Sequence, residues 1–162
     1  NEYIKCTLDD LIYRYGEVLL NYAEAKAELG ECDQAVLDKT INKLRDRVGM
    51  KHLTTDVGFT DPNWPKWEVP ISPLLNEIRR ERRVELACEG LRWNDLCRWK
   101  AGKLLENIKT YLGPRDPATG EYRVLYPGMT RTWYDRLYLY PIPTDEFTYN
   151  PNLLPQNPGW TN

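Results

Sequence analysis

A chain of 162 residues, 41% of them apolar, is long enough to fold as one domain around a real core. Its 22 basic and 24 acidic side chains leave a formal charge of −2, so no sequence-wide basic field recommends nucleic acid or anionic lipid as a partner. No run of about 18 apolar residues is present, and so no stretch of the sequence spans a membrane as a helix.

In chain order, the first helix is predicted from Asp9-Asp10, whose carboxylates suit a helix N-terminus, through Tyr15, Leu19, Tyr22, Ala23 and Ala27 to a stop at Gly30. A second is predicted from Asp33 to Gly49, with Val36, Leu37, Ile41, Leu44 and Val48 on neighbouring turns. The short connection makes residues 1–49 an antiparallel hairpin, and Leu29-Gly30 followed by Ala35 has the character of a tetratricopeptide turn. Only one such unit is visible, so the hairpin is expected to dock on something else.

Residues 52–70 read as a loop around Asp61-Pro62-Asn63-Trp64-Pro65. Ser72-Pro73 then supplies an N-cap with proline at the first helical position, and a charge-dense helix is predicted to Glu89. After Gly90 a Trp-rich helix is predicted from Trp93 to Lys100, which with its predecessor makes residues 72–102 a second piece. Residues 103–162 read as loops and a C-terminal strap. Pro141, Pro143, Pro151, Pro155 and Pro158 argue against helix there, while Ile142, Phe147, Leu153, Leu154 and Trp160 carry more apolar surface than a solvated tail tolerates. The fold class is therefore mainly α: tetratricopeptide-like helical pairs, long irregular loops and an extended proline-rich strap.

Several constellations invite a chemical reading. Glu81 and Glu85 share a helical face, as an acid/base pair would. Arg79, Arg80, Arg82 and Arg83 surround them, however, and cations favour the ionised carboxylate, the opposite of what a general acid needs. The pattern fits a structural ion network comprising Arg82, Arg83, Glu85, Glu89, Arg92 and Asp95, partly buried because the row Ile78, Arg82, Glu85, Glu89 continues an apolar face. Arg82 or Arg83 is expected to pair with Glu85, Glu89 or Asp95. Asp95 also has Arg92 and Arg98 within helical reach.

The aromatic content is six Trp and eleven Tyr against two Phe, a bias toward rings with a polar edge. Trp64, Trp67, Trp133 and Tyr134 fall in predicted loops, where they can stack on a sugar or a partner, or cover a core. His52 is the one histidine and reads as a surface residue. Cys6, Cys32, Cys88 and Cys97 are too scattered for a zinc site and leave disulfides and free thiols both open. No metal motif, phosphate loop or nucleophile elbow is present, and no cofactor is expected. The chain opens without the charged and apolar regions of a signal peptide, so the protein is either cytosolic or lacking its beginning.

The order of motifs resembles the C-terminal region of the SusD/RagB family. The residues that carry the likeness are Arg14-Tyr15-Gly16-Glu17 with Asn21-Tyr22-Ala23-Glu24-Ala25, the run Ile41 to Gly49, and the long segment Glu81 to Trp99. The ending joins them, with Tyr140-Pro141-Ile142-Pro143 and Gln156-Asn157-Pro158-Gly159-Trp160. The resemblance implies an α-rich, non-catalytic, lipid-anchored protein on the outer face of the outer membrane. It further implies capture of nutrients, chiefly oligosaccharides, for a SusC-like TonB-dependent transporter. It places the anchor and much of the ligand site in an absent N-terminal half. The rival readings are a tetratricopeptide-like adaptor and a glycosidase using Glu81, Glu85 or Asp95.

Overall fold

The computed structural model describes residues 12–106, 112–124, 128 and 130–161. It is mainly α, as the periodicity predicts, and divides into two compact units: Asn1–Trp64 with Ile71–Arg92, and Pro65–Pro70 with Trp93–Asn162.

In the first unit, α1 (Tyr15–Glu28) buries Gly16, Leu19, Leu20, Ala23 and Glu24 on one face. The predicted start at Asp9-Asp10 lies outside the described residues; residues 12–14 are non-helical, so α1 begins later than its periodicity suggests. Its end is the predicted one. Gly30 adopts φ +71°, and its N–H and that of Glu31 close back on Ala27 and Lys26, satisfying carbonyls the last turn would leave unpaired.

The single helix predicted from Asp33 to Gly49 is in fact two, α2 (Gln34–Lys39) and α3 (Ile41–Arg47). Asp33 caps α2 by accepting from the Val36 N–H at 2.8 Å. The break falls at Thr40, with φ −126° and ψ −92°, where the buried hydroxyl donates to the Val36 carbonyl at 2.6 Å. A threonine that bonds back to the preceding turn competes with the helical ladder and bends it, which hydrophobic spacing does not reveal. Both halves still feed one core: Leu37, Ile41 and Leu44 pack with Leu19, Leu20, Ala23, Leu53, Ile78 and Leu86. Leu20, Leu37, Ile41 and Ile78 are fully buried, each contributing on the order of 1.5–3 kcal/mol.

α4 (Pro73–Glu85) starts as predicted, with Ser72 Oγ accepting from the Leu75 N–H at 3.1 Å and proline in the first turn. It stops four residues before the expected Glu89. Leu86 to Glu89 form turns, and Cys88 (φ +66°) and Gly90 (φ +78°) lie in left-handed conformations that no helix accommodates.

The second unit begins just inside α5 (Arg92–Arg98), followed by a 3₁₀ turn at Gly102–Leu105. A hairpin of β1 (Leu112–Arg115) and β2 (Tyr122–Val124), antiparallel with an irregular register, was not expected. Its strands are too short for alternation to register, and Gly113-Pro114 reads as loop; proline is tolerated there because a two-stranded ribbon has only edges. The centre of this unit is Trp133, whose ring lies 5.7 Å from that of Trp93 and 5.0 Å from that of Tyr138. Gly102 sits against the same ring and donates its N–H to the Tyr138 hydroxyl at 3.0 Å.

The terminal strap contains a helix that its proline content argues against, α6 (Thr144–Tyr149), and a 3₁₀ turn at Pro151–Leu153. Pro143 precedes the first turn, where its missing N–H costs nothing. Asp145 and Glu146 favour the helix N-terminus, and no proline intervenes before Pro151. Beyond α6, Gln156 holds Ile142 by both backbone groups at 2.8 Å, and Asn157 donates to the Tyr140 carbonyl at 2.7 Å. Trp160 donates its indole N–H to the carbonyls of Arg136 and Leu139. The strap is thus fastened to the Arg136–Ile142 segment by side-chain amides and an indole.

Two outcomes follow from this packing. A Cβ at position 102 would lie 1.9 Å from the Trp133 ring, so Gly102→Ala should destabilise by about 1–3 kcal/mol, read from urea denaturation. Burial pushes the thiols of Cys32 and Cys97 up, whereas Cys88 is exposed. In a Cys6→Ser background, maleimide should label Cys88 first at pH 7. Labelling of Cys32 and Cys97 should accelerate only at a pH above that of an ordinary thiol, since the reactive thiolate forms later.

Candidate functional site

α4 buries Asn76, Glu77, Arg79, Glu81 and Arg82 alongside Leu75 and Ile78, so most of its inward face is polar. Each charge must then find a partner. Glu77, only 1% exposed, accepts from Arg80 at 2.8 Å and from the Trp64 indole N–H at 3.0 Å. Glu81 takes the Arg45 guanidinium of α3 in two bonds, at 2.8 and 3.2 Å, and Arg45 also donates to the Lys51 carbonyl. Toward α1, Arg79 reaches Glu28 at 2.9 Å and Arg82 reaches Asn21 at 2.6 Å. The Glu77 carboxylate beside Arg80, and those of Glu89 and Glu85 beside Arg14, hold these guanidinium groups all the more firmly in the charged form.

Glu85 and Glu89 have partners other than the expected ones. Glu85 and Glu89 are not held by Arg82 or Arg83: Arg14 binds both, at 2.7 Å each, and Arg47 binds Glu85 at 2.8 Å. Arg82 points to α1, and Arg83 lies on the exposed side of α4. Burial declines along the predicted row, from Ile78 and Arg82 to half-buried Glu85 and exposed Glu89. Asp95, 3% exposed, pairs with Arg98 at 3.0 Å, as helical spacing allows, and Arg92 is half-buried. The partners that sequence reasoning passed over are Arg14, Arg45 and Arg47. For Arg45 a signal existed: it follows Leu44 and lies four residues after Ile41, on the buried face.

The four loop aromatics part company. Trp133 is 9% exposed and belongs to the core of the second unit, so its ring is no ligand platform. Trp64 is half-buried in the first unit, its N–H committed to Glu77 and its ring 5.7 Å from that of Phe59. Trp67 packs edge-on against Trp99 at 5.6 Å. Tyr134 alone is largely open, with the Arg136 guanidinium 5.4 Å from its ring. His52 is exposed and meets Asp46 at 2.5 Å. Among the described residues no group of three His, Cys, Asp or Glu side chains could hold a metal ion, and no helix is long and apolar enough to cross a membrane.

The arrangement separates structural from surface charge. Arg45→Ala would leave the buried Glu81 with only the more distant Arg80 at 3.6 Å and should cost about 3 kcal/mol in urea denaturation. His52→Ala, which removes an exposed pair, should leave the midpoint unchanged.

Comparison with known proteins matches this architecture to a family. The SusD family model aligns with residues 5–160. SusD-like protein P2 of Formosa agariphila is 32% identical over 152 residues, which cover 91% of this chain and 25% of that protein. SusD-like protein P38 of the same organism is 30% identical, covering 76% and 23% respectively. A SusD-like protein from Bacteroides fragilis of known crystal structure superposes with a TM-score of 0.65 at 37% identity, over 93% of this chain and 26% of that one. The chain thus spans about a quarter of the length of these relatives. The match extends across both units and both ends of the described structure, and the chain belongs to the SusD family.

Proposed function

We propose that the protein captures glycans at the cell surface and delivers them, chemically unchanged, to a SusC-like TonB-dependent transporter in the outer membrane. In this reading it is held at the outer face of that membrane by a lipid anchor outside these 162 residues. The observation that carries the proposal is the family match over residues 5–160, which takes in each motif of the sequence resemblance. The chemistry of α4 agrees with it. Glu81 and Glu85, the carboxylates a glycosidase would use, are each fixed by arginines of other segments, Arg45 for one and Arg14 with Arg47 for the other. Bridged in this way, they tie one segment to another.

On this reading the recurring charged motifs build the scaffold and the loop aromatics meet the ligand. Trp64, Trp67 and Tyr134 are the candidates that keep part of their surface open. Tyr134 is the most exposed of the three and stands outside any ion pair.

The test uses the full-length protein. Calorimetric titration against a panel of oligosaccharides should give saturable binding with no new reducing ends, and the protein should co-purify with a transporter barrel from outer membranes. Turnover of any glycan, or absence of binding across the panel, would overturn the proposal. Tyr134→Ala should weaken glycan binding by roughly fivefold, the contribution of one ring, with an unchanged melting temperature.

A further inference from the structure

The loop between α3 and α4 carries a feature that the family match does not assign. Residues 55–60 and the start of α4 enclose an open cavity of about 470 Å³. One wall is the Phe59 ring, 52% exposed, and Leu74 contributes further apolar surface. Around it stand the hydroxyls of Thr55, Thr60 and Ser72 and the carboxylate of Asp56. Among the described residues no lysine, arginine or histidine lines it.

The cavity is preformed because its loop is pinned on both sides. Upstream, Leu53 is buried; its N–H donates to Asn42 at 2.7 Å, and its carbonyl accepts from Asn42 and Gln34, each at 3.1 Å. Gln34 also accepts from the Thr55 N–H. Downstream, the Trp64 ring backs Phe59 at 5.7 Å, and its indole N–H is tied to Glu77 in the charged lattice of α4. Within the loop, Asp56 Oδ1 accepts from the Gly58 N–H at 3.0 Å, while its second oxygen has no partner among the described residues. Ser72 Oγ accepts from Leu75, so its proton remains to donate.

We propose that this cavity is a glycan subsite for a neutral sugar ring, which stacks its apolar C–H face on Phe59 and gives hydroxyl hydrogen bonds to Asp56 and the surrounding hydroxyls. The proposal rests on the glycan-capture reading above and adds a location and a charge preference. An aromatic face beside a carboxylate and several hydroxyls is matched by a ligand that is apolar on one side and rich in donors at its rim. An acidic sugar fits poorly: its carboxylate or sulfate would face Asp56 with no cation in the lining. The N-terminus of α4 is a weak substitute, since Pro73 has no N–H and that of Leu75 is taken by Ser72, which leaves the Leu74 N–H as the one first-turn donor at the cavity.

The experiment compares full-length wild type, Phe59→Ala, Phe59→Tyr and Asp56→Asn in calorimetric titrations. The probes are neutral hexose oligosaccharides and uronic-acid oligosaccharides of matched length. Hydrogen exchange of residues 54–75 is followed with and without the tightest probe. A neutral oligosaccharide should bind best and slow exchange in that segment. Phe59→Ala should weaken it about tenfold, Phe59→Tyr should restore it, and all variants should keep the wild-type melting temperature, since Phe59 and Asp56 are exposed. Glycan binding unchanged in Phe59→Ala, with no protection of residues 54–75, would overturn the subsite and leave glycan capture standing. Preference for uronic-acid probes that is lost in Phe59→Ala would overturn the neutral assignment. Failure of the wild type to bind any probe would overturn both the subsite and the capture reading on which it rests.

Discussion

The pairing of Arg45 with Glu81, beside a Glu77 that is almost wholly buried, constrains the first unit more than any apolar contact does. An aliphatic face can slide against its neighbour at little cost, because dispersion and solvent exclusion are nearly indifferent to direction. Guanidinium–carboxylate bonds are directional, and a charge left behind in the interior is heavily penalised. α4 can therefore occupy one register only, the one in which α3 supplies Arg45 and Arg47 and the start of α1 supplies Arg14. Gly16 permits the last of these: a side chain there would collide with the Arg14 guanidinium, 2.6 Å from where its Cβ would stand. The loop after α3 is then anchored to the same lattice through Trp64 and Glu77.

Much of this was legible beforehand. The mainly α class, the stop at Gly30 and the Ser72 cap follow from period and punctuation. What escaped is instructive about cause. The break at Thr40 turns on a single side-chain hydrogen bond, and the early end of α4 on two residues with positive φ; neither alters hydrophobic spacing. The pairing of Glu85 with Arg14 joins residues 71 apart in the chain, a distance over which helical spacing carries no information. α6 escapes a count of prolines because their positions decide: they flank the helix and do not interrupt it.

The candidate site was harder to read than the fold, for a related reason. An aromatic residue in a loop has two fates, and only packing decides between them. Trp133 became the centre of a core, while Phe59, one of only two phenylalanines in the chain, was left half open beside Trp64. The motifs that carry the resemblance include Arg14, Arg45, Arg47, Glu81 and Glu85, which fix segments of the first unit to one another. On the capture reading proposed above, ligand choice falls to the segments between them, where sequence can change without disturbing the ion lattice.

The fastening of the C-terminal strap also bears on how the protein avoids its neighbours. An extended segment such as Leu139–Pro143 would ordinarily present a row of unpaired donors and acceptors, a template on which a strand of another molecule could grow. Here Pro141 and Pro143 have no N–H to offer, and Gln156 occupies both the N–H and the carbonyl of Ile142, much as an adjacent strand would. Asn157 and Trp160 take the carbonyls of Tyr140 and Leu139. The side chains of the terminus act as an internal mimic of a pairing strand one residue long, and they occupy this extended segment before a second chain can pair with it.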